Sequence, residues 1–375
     1  MYTSNMPSLK LGGHTVALPI VQGGMGVGIS GSSLASAVAE EGGLGVISGV
    51  VLGLLHRDPD STLREANIAE LRSEIRAARE KTSGMLGVNL MVAATDYEDL
   101  LQAALEEDIN AVFMGAGLPT IFSDKTTPQM MRDSGKAFVP IISSAKAARV
   151  ILKYWKKHLG FLPDGFVLEG PKAGGHLGFK TEEIQDPNFA LENLLPQVLE
   201  VVKPFEQEFG RDIPIIVAGG VYTGEDIAYF LEMGASGVQM GTRFVATEEC
   251  DAAEEFKQAF VQAEKDDLTI IKSPVGLPGR AIKGPFLESV RRGEKQPFKC
   301  PWHCLRTCDY TKSPYCISKA LVQARKGNLN HGFAFAGANA WRVDRIMTVR
   351  ELMQILAREY AESEQNSREH QAASF

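Results

Sequence analysis

Short apolar runs bounded by glycine or proline alternate with longer stretches of helical period along the first two thirds of the chain. The apolar runs are residues 19–22, 45–48, 86–90, 111–114, 139–142, 165–168, 213–218 and 237–240. Each is too short for a helix and reads as a buried strand. Helical patterns fall at 32–41, 63–81, 97–107, 145–157, 191–209 and 224–233. In the second of these, Ile68, Leu71 and Ile75 share a face. Alternation of this kind predicts an α/β protein. Eight units in about 230 residues favour a closed (β/α)8 TIM barrel over an open doubly wound sheet.

The regularity breaks after the eighth strand. A long helix is predicted over 248–265. Residues 269–331 are rich in Pro, Gly, Lys, Arg and Cys and have helical period only at 317–324. A glycine-containing segment, 333–339, leads to a helix over 349–364, with a frayed polar tail expected beyond Ser363. The expected organisation is a barrel over 1–268, a Cys-containing excursion or lid over 269–332, and a return segment with a C-terminal helix packing on the barrel over 333–375.

Composition narrows the functional class. Hydrophobic residues make up 44% and charged residues 23%, as in a soluble globular enzyme. Net charge is −7 with basic residues dispersed, which argues against nucleic acid as a partner. Residues 1–10 are polar and lack a signal-peptide core, and no apolar run approaches membrane-spanning length, so a cytoplasmic location is expected. Disulfides are then not expected of the five cysteines.

Candidate chemistry gathers at strand ends. The sixth strand runs into Val167-Leu168-Glu169-Gly170-Pro171-Lys172-Ala173-Gly174-Gly175-His176-Leu177-Gly178-Phe179. Glycines let backbone approach a ligand, and histidine exchanges protons near neutral pH. Such a group beyond a barrel strand's C-terminal end is where barrels keep their chemistry, although Gly-Gly-His is also a tight turn with a surface histidine. Gly219-Gly220 follows strand seven and Gly241-Thr242 follows strand eight. In barrels these loops commonly hold a phosphate. Gly24 and Met25 follow strand one and could lie against a flat ring. Asn89 at the end of strand three could donate to and accept from a flavin's pyrimidine edge, or simply form a turn.

These pieces resemble the nitronate monooxygenases, with the FMN-dependent enoyl-ACP reductases as close relatives. The resemblance rests on residues 19–26, on Glu41-Gly42-Gly43-Leu44-Gly45, on Gly87-Val88-Asn89-Leu90, on residues 173–178, on Gly219-Gly220 and on residues 234–244. It covers about residues 15 to 250. It implies FMN as cofactor. Gly24, Met25 and Asn89 would meet the ring, Glu169, Gly174 and Gly175 would lie in the cofactor site, and Gly219, Gly220, Gly241 and Thr242 would hold the phosphate. His176 would be the catalytic base in oxidation of nitroalkanes or nitronates by O2 to a carbonyl compound and nitrite. A reductase drawing on NAD(P)H and acting on enoyl thioesters or quinones is the alternative. Arg291, Arg292, Lys295 and Lys299 would suit its acyl carrier. A non-redox phosphate-binding barrel with Glu169 as base, and a flavin sensor working through its cysteines, are readings of other classes.

Two features depart from the family pattern. Pro171-Lys172 precedes the Ala-Gly-Gly-His run, where the lysine could attract an anionic nitronate or a nicotinamide phosphate, or point into water. Cys300, Cys304, Cys308 and Cys316 are spaced C-x3-C-x3-C-x7-C. On a helix the first three would share a face and could bind Zn or an iron–sulfur cluster, with His303 as a further candidate ligand. They could equally be buried or free thiols.

Overall fold

The computed structural model describes residues 5–56, 60–120, 122–294 and 298–373. A hairpin, β1 (Leu9–Leu11) and β2 (His14–Val16), precedes the first barrel strand. The barrel strands are β3 (Ile20–Gln22), β4 (Leu44–Ser48), β5 (Met85–Met91), β6 (Ala111–Gly115), β7 (Ala137–Ile142) and β8 (Phe166–Glu169). After a two-residue outlying strand, β9 (Gly175–His176), come β10 (Ile215–Ala218) and β11 (Gly237–Met240). All eight barrel strands are parallel, and β11 pairs back onto β3 with Val238 opposite Ile20. The expected TIM barrel is the fold observed.

Alternation along the strands divides two cores. Val21, Val46, Phe113, Val139, Val167 and Ile216 fill the barrel interior together with Leu9, Leu11 and Val16 of the hairpin. The hairpin therefore stoppers the N-terminal end, which the sequence reading missed. Ile20, Ile47, Val88, Val112, Leu168, Val217 and Val238 face outward against the helices. These are α1 (Ser32–Glu40), α2 (Leu63–Arg79), α3 (Tyr97–Glu106), a short α4 (Pro128–Asp133), α5 (Ala145–His158), α6 (Leu191–Phe209) and α7 (Gly224–Glu232). Side-chain oxygens of Thr62, Ser144 and Thr223 cap α2, α5 and α7 by accepting first-turn N–H groups.

The expected helix over 248–265 shrinks. After α8 (Thr242–Val245), α9 covers Glu254–Val261. The preceding residues are committed elsewhere: the Asp251 carboxylate accepts the N–H groups of Gly31, Ser33 and Leu34 at 2.8, 3.2 and 3.2 Å, supplying the cap that α1 lacks at Gly31. Nor is 269–331 irregular. It opens with an antiparallel pair, β12 (Leu268–Lys272) and β13 (Pro278–Ile282), and continues with α10 (Pro285–Arg291) and α11 (Ile317–Arg325). The last helix, α12 (Val349–Ala373), runs ten residues past Ser363 rather than fraying there. Pairs four apart support its polar end, Arg358–Glu362 and Glu364–Arg368 by charge and Gln365–Glu369 by hydrogen bond. It packs on α7, where Gly224 donates its N–H to Glu359 at 2.8 Å. Among the described residues no helix is long and apolar enough to cross a membrane.

Gly45 lets α1 settle directly on β4, since a Cβ there would stand 1.9 Å from the Ala35 carbonyl oxygen. Backbone cannot yield as a side-chain tip can. Gly45→Ala is therefore expected to lower unfolding free energy by about 3 kcal/mol. A urea melt coinciding with the parent's would show that the helix moves freely.

Candidate active site

With the hairpin closing one end, the barrel opens only at the C-terminal ends of its strands. The inward alternation that places Val46, Gly87, Val167 and Gly237 inside brings Ser48, Asn89, Glu169 and Gln239 to the mouth. The Ser48 hydroxyl is buried without a hydrogen-bond partner among the described residues. The side chains of Asn89, Glu169 and Gln239 likewise make no hydrogen bond or ion pair with a described residue. Burial in so closely walled a place pushes the Glu169 carboxyl up to about 7. An apolar interior thus ends in a layer of polar groups whose bonding capacity is unfilled.

Beyond β8 the chain turns over this mouth. In β9, Gly175 and His176 pair antiparallel with Arg280 and Gly279 of β13, making the loop the third strand of the β12–β13 sheet. Gly175 sits at φ +81°, a conformation that suits glycine. The His176 ring is held from two sides: Nε2 lies 2.7 Å from Ser273 Oγ, and Phe335 meets the ring edge-on at 5.0 Å. Burial without a nearby charge pulls His176 down to about 4, so the imidazole is neutral at pH 7. Opposite Gly175 on β13, Arg280 is buried and donates Nη1 hydrogen bonds to the Pro171 and Ala173 carbonyls at 2.6 and 2.7 Å. A cation with no carboxylate partner among the described residues thus holds the loop's carbonyls.

The glycine turns form one continuous cradle. A Cβ at Gly24 would stand 2.4 Å from Asn89 Cβ, and one at Gly241 would be 3.4 Å from Met25 Sδ. Gly219 and Gly220 adopt φ of +91° and +101°. A Cβ on the first would be 2.9 Å from the Ala173 nitrogen and on the second 2.9 Å from Lys172 Cδ. Their N–H groups have no acceptor among the described residues. The return segment closes the cradle: Gly337 donates to Thr242 Oγ1 at 3.0 Å, leaving that hydroxyl's proton free, and Asn339 donates to the Gly220 carbonyl at 2.6 Å. Gly174 packs against Ala336 and Gly337, where a Cβ would come within 2.6 Å of backbone. Next to Thr242, Arg243 has a buried Nε without an acceptor among the described residues. Its guanidinium lies 4.4 Å from the Tyr222 ring, with Arg342 at 4.3 Å from that ring. A cleft of about 460 Å³ opens beyond Gly219 and Gly220, and the exposed Lys172 lines it.

The family profile for nitronate monooxygenase matches residues 8–359. The chain belongs to the nitronate monooxygenase family. It is 27% identical over 307 residues to a probable nitronate monooxygenase of Staphylococcus aureus, covering 75% of this chain and 79% of that protein. It is 28% identical over 278 residues to the (3aS,4S,5R,7aS)-5-hydroxy-7a-methyl-1-oxo-octahydro-1H-indene-4-carboxyl-CoA dehydrogenase of Mycobacterium tuberculosis, covering 74% of this chain but 66% of that protein, just under two thirds of its length. Among solved structures, FabK from Thermotoga maritima superposes with a TM-score of 0.72 at 26% identity, covering 95% of this chain and 96% of that one. A nitroalkane oxidase from Streptomyces ansochromogenes shares the fold with a TM-score of 0.69 at 24% identity, covering 93% and 97%.

The barrel mouth and cradle bring together Gly24, Met25, Asn89, Glu169, Gly174, Gly175, His176, Gly219, Gly220, Gly241 and Thr242. Sequence reasoning missed Ser273, Arg280, Phe335, Gly337 and Asn339, all from the segments after the barrel. The signal for the first two was present: Leu-Thr-Ile-Ile followed by Ser-Pro-Val-Gly is a strand and turn. Ser48 and Gln239 were also detectable, as polar residues ending apolar strands on the inward phase. Cys300, Cys304 and Cys308 do not share a helical face, because 298–316 is turns, with Pro301 directly after Cys300 and His303 at φ +44°. Among the described residues no group of three or more His, Cys, Asp or Glu side chains is placed to hold a metal ion. The His303 ring stacks edge-on with Tyr310 at 5.3 Å. Of the basic cluster, Arg291 pairs with Glu288 and Arg292 with Glu294, while Lys295 lies outside the described residues.

Arg280→Ala is expected to leave the buried Pro171 and Ala173 carbonyls unpaired, at about 1–3 kcal/mol each. The thermal midpoint should drop and the His176 ring resonances should shift together. A lowered midpoint with unmoved His176 resonances would show that the arginine does not position the histidine.

Proposed function

We propose that this protein is an FMN-dependent oxidoreductase that oxidises nitroalkanes and their nitronates with O2, giving a carbonyl compound and nitrite, in the cytoplasm. The observation that carries the reading is His176, a neutral imidazole fixed by Ser273 over a polar barrel mouth. With its pKa lowered by burial to about 4, it is unprotonated at pH 7, the form a general base must have. Ser273 Oγ also accepts the Val275 N–H at 3.4 Å, consistent with an oxygen that accepts from His176 Nε2–H as well. In that tautomer Nδ1 carries the lone pair that removes the α-proton of a nitroalkane.

The residues present fit FMN. Gly24 and Met25 would lie along the ring, and Ser48, Asn89 and Gln239 would satisfy its pyrimidine edge. Glu169, Gly174 and Gly175 would border it at the mouth. The open N–H groups of Gly219 and Gly220, with Gly241, the Thr242 hydroxyl and the adjacent Arg243, would hold the phosphate. When bound, FMN supplies the two-electron oxidation. The flavin dependence of the family supports this over a non-redox barrel. A second reading is a reductase taking hydride from NAD(P)H to act on an enoyl thioester or quinone. Glu169 favours it, because a carboxyl at about 7 still holds a proton to deliver near neutrality.

The deciding measurement is an anaerobic titration of the yellow protein with an alkyl nitronate, NADH and NADPH in turn. Bleaching by nitronate, reversed by air, is expected; rapid bleaching by a nicotinamide alone would move the assignment to the reductase.

His176→Ala should lower turnover of a neutral nitroalkane by about 10²–10⁴-fold while sparing a preformed nitronate, which needs no proton removed. Loss of the two activities in equal measure would exclude the base role. The acid limb of kcat/KM for the nitroalkane should fall near pH 4, below the ordinary histidine range, because activity needs the unprotonated ring.

A further inference from the structure

Resting on the reading of His176 as the base at a flavin site, we propose that the substrate carries an uncharged alkyl chain of about five carbons, bound along one face of the β12–β13 hairpin by Val275, Leu277 and Phe335. The strand register fixes which positions share the face of His176. His176 lies opposite Gly279 in β13, and Gly279 lies opposite Ile271 in β12, so the three belong to one side of the sheet. One alternation nearer the hairpin tip come Ser273 and Leu277, joined by the Ser273 N–H to the Leu277 carbonyl at 3.0 Å. Ser273 meets His176 at 2.7 Å, so the alternation continues past the strand ends. The Leu177 N–H donates to the Pro278 carbonyl at 2.8 Å, which brings Gly178 level with Leu277. A Cβ on Gly178 would stand 2.1 Å from Ser143 Oγ, just beyond β7, and this row therefore looks across to the barrel mouth.

The face is apolar where its reverse is charged. Lys272 and Arg280 are out of phase with Ile271 and Gly279 and fall on the other side, where Arg280 holds the Pro171 and Ala173 carbonyls. Residues 273–279, Ser-Pro-Val-Gly-Leu-Pro-Gly, include no charged side chain. Ile271, Val275 and Phe335 pack on the cluster containing Phe286, Tyr315 and Phe333, each keeping part of its surface open. Phe335 is set in place from two directions. Phe333 meets it edge-on at 5.0 Å, and Gly279 gives it room, since a Cβ there would be 2.8 Å from the ring. The same Phe335 ring meets His176.

A substrate with its acidic carbon at the His176 ring has a free path toward the hairpin tip, where Gly178 is exposed and Leu277 is 41% exposed. From the row of Gly279 to that of Leu277 is two residues of strand, about 6.7 Å. A chain of about five carbons covers that distance with bonds of about 1.5 Å. Laid there, it takes its own surface and that of Val275, Leu277 and Phe335 out of water. A charged tail would lose hydration and meet no counter-charge on this face. The substrate class is thus a nitroalkane or nitronate with a medium-length apolar chain, in preference to nitroethane or a compound ending in a carboxylate.

The test measures kcat/KM of the flavin-loaded protein for the preformed nitronates of nitroethane, nitrobutane and nitrohexane. In parallel, propanoate and heptanoate, unreactive carboxylates with the planar anionic head of a nitronate, are titrated and followed by flavin absorbance and by the Val275 and Leu277 methyl resonances. kcat/KM should rise about threefold per added CH2, roughly 10²-fold from ethyl to hexyl, and heptanoate should bind more tightly than propanoate by a similar factor. Leu277→Glu should lower kcat/KM for the hexyl nitronate about tenfold and flatten the series. The two series on the unmodified protein decide the matter even where that variant fails to fold. A kcat/KM that is flat or falls with chain length, or carboxylate binding blind to length, would overturn the proposal and leave the base assignment standing. Absence of turnover with every nitronate, with heptanoate still preferred and the methyl resonances shifted, would remove the assigned activity and support the chain subsite.

Discussion

A strand in a closed barrel offers each side chain two destinations, the helical layer or the interior, and this constraint governs the molecule. Inward positions are apolar from the hairpin plug of Leu9, Leu11 and Val16 up through Val139 and Val167. At the last inward position of four strands the pattern changes to Ser48, Asn89, Glu169 and Gln239. Polar groups enclosed without partners cost stability, and folding alone gives no reason to gather four in one layer. The site is thus an unfinished hydrogen-bonding surface before it is a catalytic one.

The chemistry-bearing loop does not stand alone above that surface. Its register is fixed by β13, its carbonyls by Arg280, and its histidine by Ser273 and Phe335. All of these come from sequence at least 90 residues further along the chain. The return segment does the same for the cradle through Gly337 and Asn339. Residues beyond the eighth strand therefore build a wall of the site. A change confined to β12 and β13 would alter what the histidine can reach while leaving the eight barrel strands intact.

How much of this was legible follows from how local each signal is. The barrel was readable because strand and helix periods repeat over eight units. The glycine turns were readable because backbone approach restricts residue type. Yet some of the resembling glycines serve packing: Gly45 admits the Ala35 carbonyl, while Gly219 and Gly220 form the cradle. A spacing does not distinguish these uses. The strand and turn around Ser273 and Arg280 were detectable, but not their roles, which depend on a strand pairing across a hundred residues. The 248–265 pattern misled because helical period says nothing of Asp251, which caps α1 instead.

Glu169 at the end of β8 and His176 in the loop beyond it show how burial sets opposite tendencies. Burial disfavours charge in either group, so it lowers His176 to about 4 and raises Glu169 to about 7. For His176 the unfolded chain binds the extra proton between pH 6.5 and 4, so stability declines as pH falls through that window. For Glu169 the folded chain holds the extra proton between 4.5 and 7, so stability declines as pH rises through that window. The slopes oppose each other over most of their range, and the fold can keep both groups neutral in mildly acidic solution without a steep pH dependence. Neutrality has a chemical consequence as well. With both groups uncharged, His176 and Glu169 add no net charge to the mouth in mildly acidic solution.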